Sequence, residues 1–444
     1  MEEHRYLGNF EFMISHNKKV YDYLFHCERN ARTALTDSCL QLRKALEAFV
    51  YSVRDDNGKT AEDVKFYNSG SDATLASTIR YLRFGSVRNK LPSAPMINGT
   101  GFSGKDPYLV IRLLGNKGAH TDDMNQHWVP NSCYHNLIVC LTAFQKILKN
   151  YYRESAPDFN ENYMPIDEFR LISSKKPEDA DRSYCQLECV GYSEVSRMYA
   201  VLRVYNRKKL SETFMNRNLD SLMEAANSSF DNVPKGMARL RVLSGASGDE
   251  SNYYILCYGF SGFPQKLSDI KIGELSAEQR LLMCSRLADA VAELHSAENP
   301  IYQRLLTHQS IYVNEKRRQF IPYIVKFDYS KIDNPELNTI IADANKAARK
   351  ADKIIDEYIS PEYKNAIESG TNGQVDWEKV DIFSMGVLFI KIMLGDFSIT
   401  AELNLRKLTD RQLQGLLDEM LSDEPEERPT AEEVADSLRR SIQK

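Results

Sequence analysis

Arg112, Asn116 and His120 fall four residues apart within Leu109-Val-Ile-Arg-Leu-Leu-Gly-Asn-Lys-Gly-Ala-His-Thr-Asp-Asp123. On a helix that spacing lines them along one face, with the imidazole at its end. A histidine titrating near neutrality can give or take a proton, and a guanidinium can stabilise negative charge building on a phosphate. The trio is a candidate acid–base face. It also fits a structural assignment in which Asn116 hydrogen-bonds a neighbouring loop and Arg112 pairs with Glu47 across two helices. His26, His127 and His135 have no metal-spaced partner and read as surface or satisfied core histidines.

A second series of motifs lies beyond residue 183. In chain order it comprises Gly191-Tyr-Ser-Glu-Val195, Val201-Leu-Arg-Val204, Gln303-Arg-Leu-Leu-Thr-His-Gln-Ser310, Val325-Lys-Phe-Asp-Tyr-Ser-Lys331, Ser360-Pro-Glu362, Asp381-Ile-Phe-Ser-Met-Gly386 and Glu427-Arg-Pro-Thr430. Taken in that order, residues 183–444 resemble the protein-kinase family. The resemblance implies that Gly191 stands in the glycine-rich loop and Arg203 at the position of the strand lysine. The acidic partner of Arg203 is then Asp220 or Glu224 on the next helix. It also implies that Asp381 holds the catalytic-loop backbone, and that the Glu362 carboxylate pairs with a buried Arg428.

The working groups of that family are substituted. Leu305 replaces the aspartate that accepts the substrate proton, and leucine has no atom able to do so. Ser310 replaces a metal-binding asparagine, while Asp328 remains, followed by Tyr329 and Ser330. The region therefore resembles a pseudokinase. ATP with magnesium is the ligand such a site would take, through Gly191, Arg203 and Asp328. A single glycine and a wide, planar guanidinium argue against it, so no cofactor is required and no metal site is expected. A lesser alternative is a divergent active kinase with another base in place of Leu305.

The first segment carries a different resemblance. Arg43-Lys-Ala-Leu-Glu47 and the later Gly115-Asn-Lys-Gly-Ala-His120 are similar to the Arg-x3-Glu and Gly-Asn-x3-His signatures of the HEPN superfamily, in the branch accompanying bacterial restriction and defence proteins. Many HEPN domains are metal-independent ribonucleases that use an Arg-x4-6-His motif at a dimer interface. The resemblance thus implies His120 and Arg112, with Asn116, as a ribonuclease face, RNA as a ligand and a homodimer through the helical domain. Seven residues separate Arg112 from His120, outside that window.

The elements that must position these residues are legible in the apolar pattern. From Ala31 to Val50, residues Leu35, Cys39, Leu42, Leu46 and Phe49 form one helical stripe, and from Cys133 to Leu148 so do Leu137, Leu141, Phe144 and Leu148. Pro92 to Lys105, rich in Gly, Pro and Ser, reads as a loop. Tyr199 to Tyr205 and Tyr253 to Tyr258 are β-prone runs, and Glu278 to His295 returns to a helical stripe of Leu281, Cys284, Leu287, Val291 and Leu294. The expected fold class is multidomain, α and α+β. It comprises an all-α HEPN-like bundle over 1–155, a linker over 156–182, a kinase-like N-lobe over 183–262 and a C-lobe over 263–444.

Composition sets the outer bounds. A 444-residue chain exceeds one ordinary core, and 42% hydrophobic with 27% charged residues is a globular balance. The formal net charge of -5 argues against a surface that grips nucleic acid throughout. No apolar run reaches the roughly 20 residues of a membrane helix, and Met-Glu-Glu-His-Arg is not a signal pattern. Eight scattered cysteines fit reduced thiols, and the Cys185/Cys189 pair sits in a β-prone run rather than a zinc site. The expectation is a cytoplasmic protein without membrane contact. It would be a regulatory or scaffolding component of a bacterial defence system that binds a protein partner, the alternative being a ribonuclease effector restrained by its pseudokinase.

Overall fold

The stripe of Leu35, Cys39, Leu42, Leu46 and Phe49 lies wholly in the core of a helical bundle, each residue at most 8% exposed. The bundle belongs to a computed structural model that describes residues 6–32, 34–85, 90–93, 96–97, 105–119, 130–175, 185–206, 239–242, 253–297, 300–316, 319–326, 331–332, 356–369 and 375–443. The chain divides into two compact units. One comprises residues 1–175, 191–196 and 243–254, and the other 176–190, 197–242 and 255–444.

The helices of the first unit are α1 (Met13–His16), α2 (Lys18–Asn30), α3 (Leu35–Asp56), α4 (Ala61–Tyr67), α5 (Leu75–Phe84), α6 (Pro107–Ala119) and α7 (Pro130–Tyr152). Their starts follow local chemistry. Asn17 accepts from the Val20 amide to open α2, Thr60 and Asp63 form a reciprocal capping box on α4, and Thr74 caps α5. Helix α3 is the centre, packed against α2, α5, α6 and α7. Its Phe49 meets Phe144 of α7 edge-on at 5.9 Å between ring centroids, so the two expected stripes face each other.

The α3–α6 crossing depends on one glycine. A Cβ on Gly115 would lie 2.3 Å from Arg43 Cβ and 2.9 Å from the Cys39 carbonyl oxygen. Both helices would have to separate to admit a methyl group. After α7 the chain forms a 3-10 turn at Glu161–Tyr163 and strand β1 (Arg170–Lys175), so part of the stretch expected as a linker is structured.

The second unit combines sheet and helix. Strands β2 (Cys185–Ser193), β3 (Met198–Asn206), β4 (Arg239–Val242) and β5 (Tyr253–Phe260) run in the order β2-β3-β5-β4. A separate antiparallel sheet has β8 (Ile311–Lys316) between β6 (Pro264–Lys266) and β9 (Gln319–Ile324), with Lys266 opposite Tyr312. Short β7 (Ile301–Tyr302) pairs with β10 (Lys331–Ile332).

The helices here are α8 (Ala277–His295), α9 (Pro361–Ser369), α10 (Trp377–Leu394), α11 (Ala401–Asn404), α12 (Arg411–Met420) and α13 (Ala431–Ile442). Helix α10 is apolar around its circumference, as a helix buried on every side must be. It ends at Gly395, whose φ of 77° is the left-handed cap conformation that glycine adopts without strain. In α8, Cys284, Leu287, Val291 and Leu294 are buried as expected, whereas Leu281 is half-buried. Mixed helix and sheet in two compact units is the architecture. Among the described residues, no helix is long and apolar enough to cross a membrane, and seven cysteines are buried, free thiols.

Gly115→Ala is expected to lower stability by about 1–3 kcal/mol through overpacking of the α3–α6 crossing. Thermal denaturation measures it, and an unchanged Tm would show that the crossing can yield.

Candidate functional site

Asp381, on the second turn of α10 and 1% exposed, organises the loop that follows β7. Its Oδ2 accepts the Gln303 amide at 2.7 Å and its Oδ1 the Arg304 amide at 2.6 Å. His295, the last residue of α8, lies 3.0 Å from the same Oδ2 through Nε2. Two backbone amides held by one buried carboxylate fix the loop's path, and Arg304 takes a left-handed φ of 61°. That conformation is costly for a side chain with a Cβ and persists where the surroundings over-determine it.

The loop's side chains turn inward. Arg304 is fully buried, its guanidinium 5.1 Å from the Trp377 ring centre, and burial pulls its pKa down against the opposing effects of Tyr363 and Asp381. Leu305 packs on an apolar cluster of Ile359, Tyr363, Ile367, Trp377 and Val380. Ser310 Oγ accepts the Thr307 amide at 2.9 Å and donates to the Thr307 carbonyl at 2.7 Å, closing the turn. His308 Nδ1 lies 2.8 Å from the Tyr358 hydroxyl, and its ring stacks on Phe397 at 4.8 Å. Gln303 is 2% exposed, and its side-chain amide has no hydrogen-bond partner among the described residues.

A second ion pair joins α9 to the turn before α13. Arg428 meets Glu362 in a two-pronged contact of 2.7 and 3.0 Å, and also donates to the carbonyls of Ser422 and Lys379. The pairing that the resemblance implied is therefore present, with the Arg428 side chain 0% exposed. Ser384, three residues after Asp381, donates to the Tyr358 carbonyl at 2.7 Å and ties α10 to the segment before α9.

Arg203 is also fully buried, on β3. Its Nη1 donates to Glu188 Oε2 at 2.8 Å and its Nε to the Tyr205 hydroxyl at 2.8 Å. The other oxygen, Glu188 Oε1, accepts from the Tyr312 hydroxyl at 2.6 Å and lies 3.4 Å from Lys266 Nζ. Burial would raise the Glu188 pKa, but Arg203, Lys326, Lys266 and the Tyr312 hydrogen bond together bring it down to about 2. Burial and the adjacent Glu188 charge push Tyr312 up. Asp220 and Glu224, the expected partners of Arg203, lie outside the described residues. A carboxylate found on Arg203 is Glu188 of β2, and one glutamate in the run from Cys185 to Val190 was the sequence signal for it.

Of the remaining expected residues, Gly191 lies on β2. Asp328 and His120 lie outside the described residues. Helix α6 carries Arg112 and Asn116, both half-buried, at positions one turn apart, and Asn116 Oδ1 is a buried atom without a hydrogen-bond partner among the described residues. His26 and His135 are exposed. No grouping of metal-ligating side chains occurs among the described residues.

Compared with protein-family models the chain matches none, and no curated protein matches it either. The site's carboxylates and cations hold each other and the backbone, and Leu305 lies on an apolar cluster.

Glu362→Gln leaves the Arg428 guanidinium without its counter-charge and is expected to cost about 3–5 kcal/mol. Differential scanning calorimetry should show a Tm several degrees lower, and an unaltered Tm would count against the pair. Glu188 has a depressed pKa, so its contribution is complete above the unfolded value near 4.5 and fades as pH falls toward 2. Acid titration of stability should therefore show a loss of about 3 kcal/mol across that window, reduced in Glu188→Gln, which is already weakened at neutral pH. Parallel acid limbs in the two proteins would refute the assignment.

Proposed function

We propose that residues 183–444 are a kinase-like module without phosphotransfer, joined to an N-terminal HEPN-type helical domain. The pair acts as a regulatory or scaffolding component of a bacterial defence system and engages a protein partner. The observation that carries this reading is the loop from Gln303 to Ser310, at the two positions where a kinase would carry its proton acceptor and its metal-binding asparagine. Leu305 lies on an apolar cluster and Ser310 closes its own turn, so neither serves a substrate hydroxyl or a metal.

Arg203 supports the same reading. A guanidinium 0% exposed and bonded to Glu188 is already neutralised within the protein, which removes the reason for a phosphate to bind there. A module of this kind works by presenting a surface or by shifting between two arrangements, and a ligand acts on it through its different affinity for each. The ribonuclease alternative would use Arg112 and Asn116 of α6 with His120, which lies outside the described residues.

The test is incubation with millimolar ATP and magnesium, with Tm and transfer of labelled phosphate measured together. Neither a shift in Tm nor label on the protein is expected. A Tm rise of several degrees, or label retained by purified protein, would overturn the reading.

A further inference from the structure

Three aromatic rings stand out in water on two short helices of the first unit. Phe66 and Tyr67 close α4 at 90% and 39% exposure, and Phe84 closes α5 at 62%. Such rings are ordinarily inside, and a group of them left outside marks a contact surface. The two helices pack together. Tyr67 meets the buried Tyr81 of α5 edge-on at 5.3 Å between centroids, which brings the end of α4 beside the turn that leads to Phe84.

The cations of that region set its chemistry. Helix α5 carries Arg80 and Arg83 and no acidic residue. Arg80 is exposed and stands four residues before Phe84, on the same face of the helix. The Arg83 guanidinium lies 5.5 Å from the Phe84 ring centre and 5.5 Å from that of Tyr108, and it pairs with Asp106, so that carboxylate is already engaged. The Lys90 amide donates to the Leu82 carbonyl at 3.3 Å, which sets an exposed lysine alongside the last turn of α5. Lys65 adds a half-buried cation next to Phe66. The acidic groups of α4, Glu62 and Asp63, occupy its first turn, and Asp63 is bound into the cap of that helix.

Flat rings interleaved with arginine and lysine match the two repeating parts of a nucleic acid single strand, bases that stack and phosphates that carry charge. Lysine is depleted at protein–protein contacts, so Lys65 and Lys90 beside the rings argue against a protein occupant. The exposed side chains of α5 are Arg80 and Phe84, and neither can accept a hydrogen bond from a ribose 2′-hydroxyl. We infer that the C-terminal ends of α4 and α5 form a stacking platform for a single strand of nucleic acid, held through bases and phosphates without regard to the sugar. The inference uses the first unit alone and goes beyond the function proposed above.

Fluorescence anisotropy of the full chain tests it, with labelled DNA and RNA strands of one mixed sequence, about 15 nucleotides long, across a salt series. The two strands are expected to bind within about threefold of each other, and more weakly as salt rises. Phe84→Ala should weaken both about tenfold through the lost stack. Arg80→Gln should reduce the slope of log affinity against log salt by about 0.7, the share of one phosphate contact on a single strand. The Tm of each variant is measured alongside, and Phe66→Ala supplies the lost stack if Phe84→Ala does not fold. No binding at about 50 mM salt, equal binding by wild type and variants, or binding of RNA alone would overturn the platform. So would a self-associated form that sediments apart in Phe84→Ala while neither strand binds, since the face would then be a protein contact.

Discussion

One buried carboxylate, Asp381, accepting two consecutive backbone amides, is the constraint on which the second unit's candidate site depends. Its bonds to Gln303 and Arg304 hold the chain in a turn that includes a left-handed arginine. His295 at the end of α8 reaches the same carboxylate, so α8, α10 and the loop share a point of fixation. Everything downstream in the loop inherits that path: Arg304 over Trp377, Leu305 on its apolar cluster, and His308 against Phe397.

The charges of this unit are used for architecture. Arg203 with Glu188, Arg428 with Glu362 and Lys391 with Glu357 each bury a cation almost completely against a carboxylate. Buried pairs of this kind gain little net stability over apolar packing, but they punish any rearrangement that separates them. They specify one arrangement of strands and helices. A guanidinium held this way has its charge answered within the protein.

The first unit reaches its specificity by other means. Gly115 permits a close crossing of α3 and α6, and Asn9 gathers the N-terminal segment, α2, α7 and the chain beyond α7 into one polar cluster. The apolar stripes of α3 and α7 were plain in the sequence, because a 3.6-residue period needs only local information. The closeness of α3 to α6 was not, since a glycine in a helical run reads the same whether or not a neighbour presses on it. The segment 158–163 has no periodicity to reveal its docking, which arises from side chains more than 100 residues away.

By itself the sequence determined the two helical stripes and the β-prone runs, which follow from local periodicity, while the pairing of Glu362 with Arg428 was implied by the resemblance of residues 183–444 to protein kinases. Only the tertiary structure decided that Glu188 is the carboxylate on Arg203, that Leu305 faces an apolar cluster, and that His295 joins Asp381. Each of those partners lies at least fifteen residues away along the chain, and which groups meet in a low-dielectric interior is fixed by the packing of whole elements.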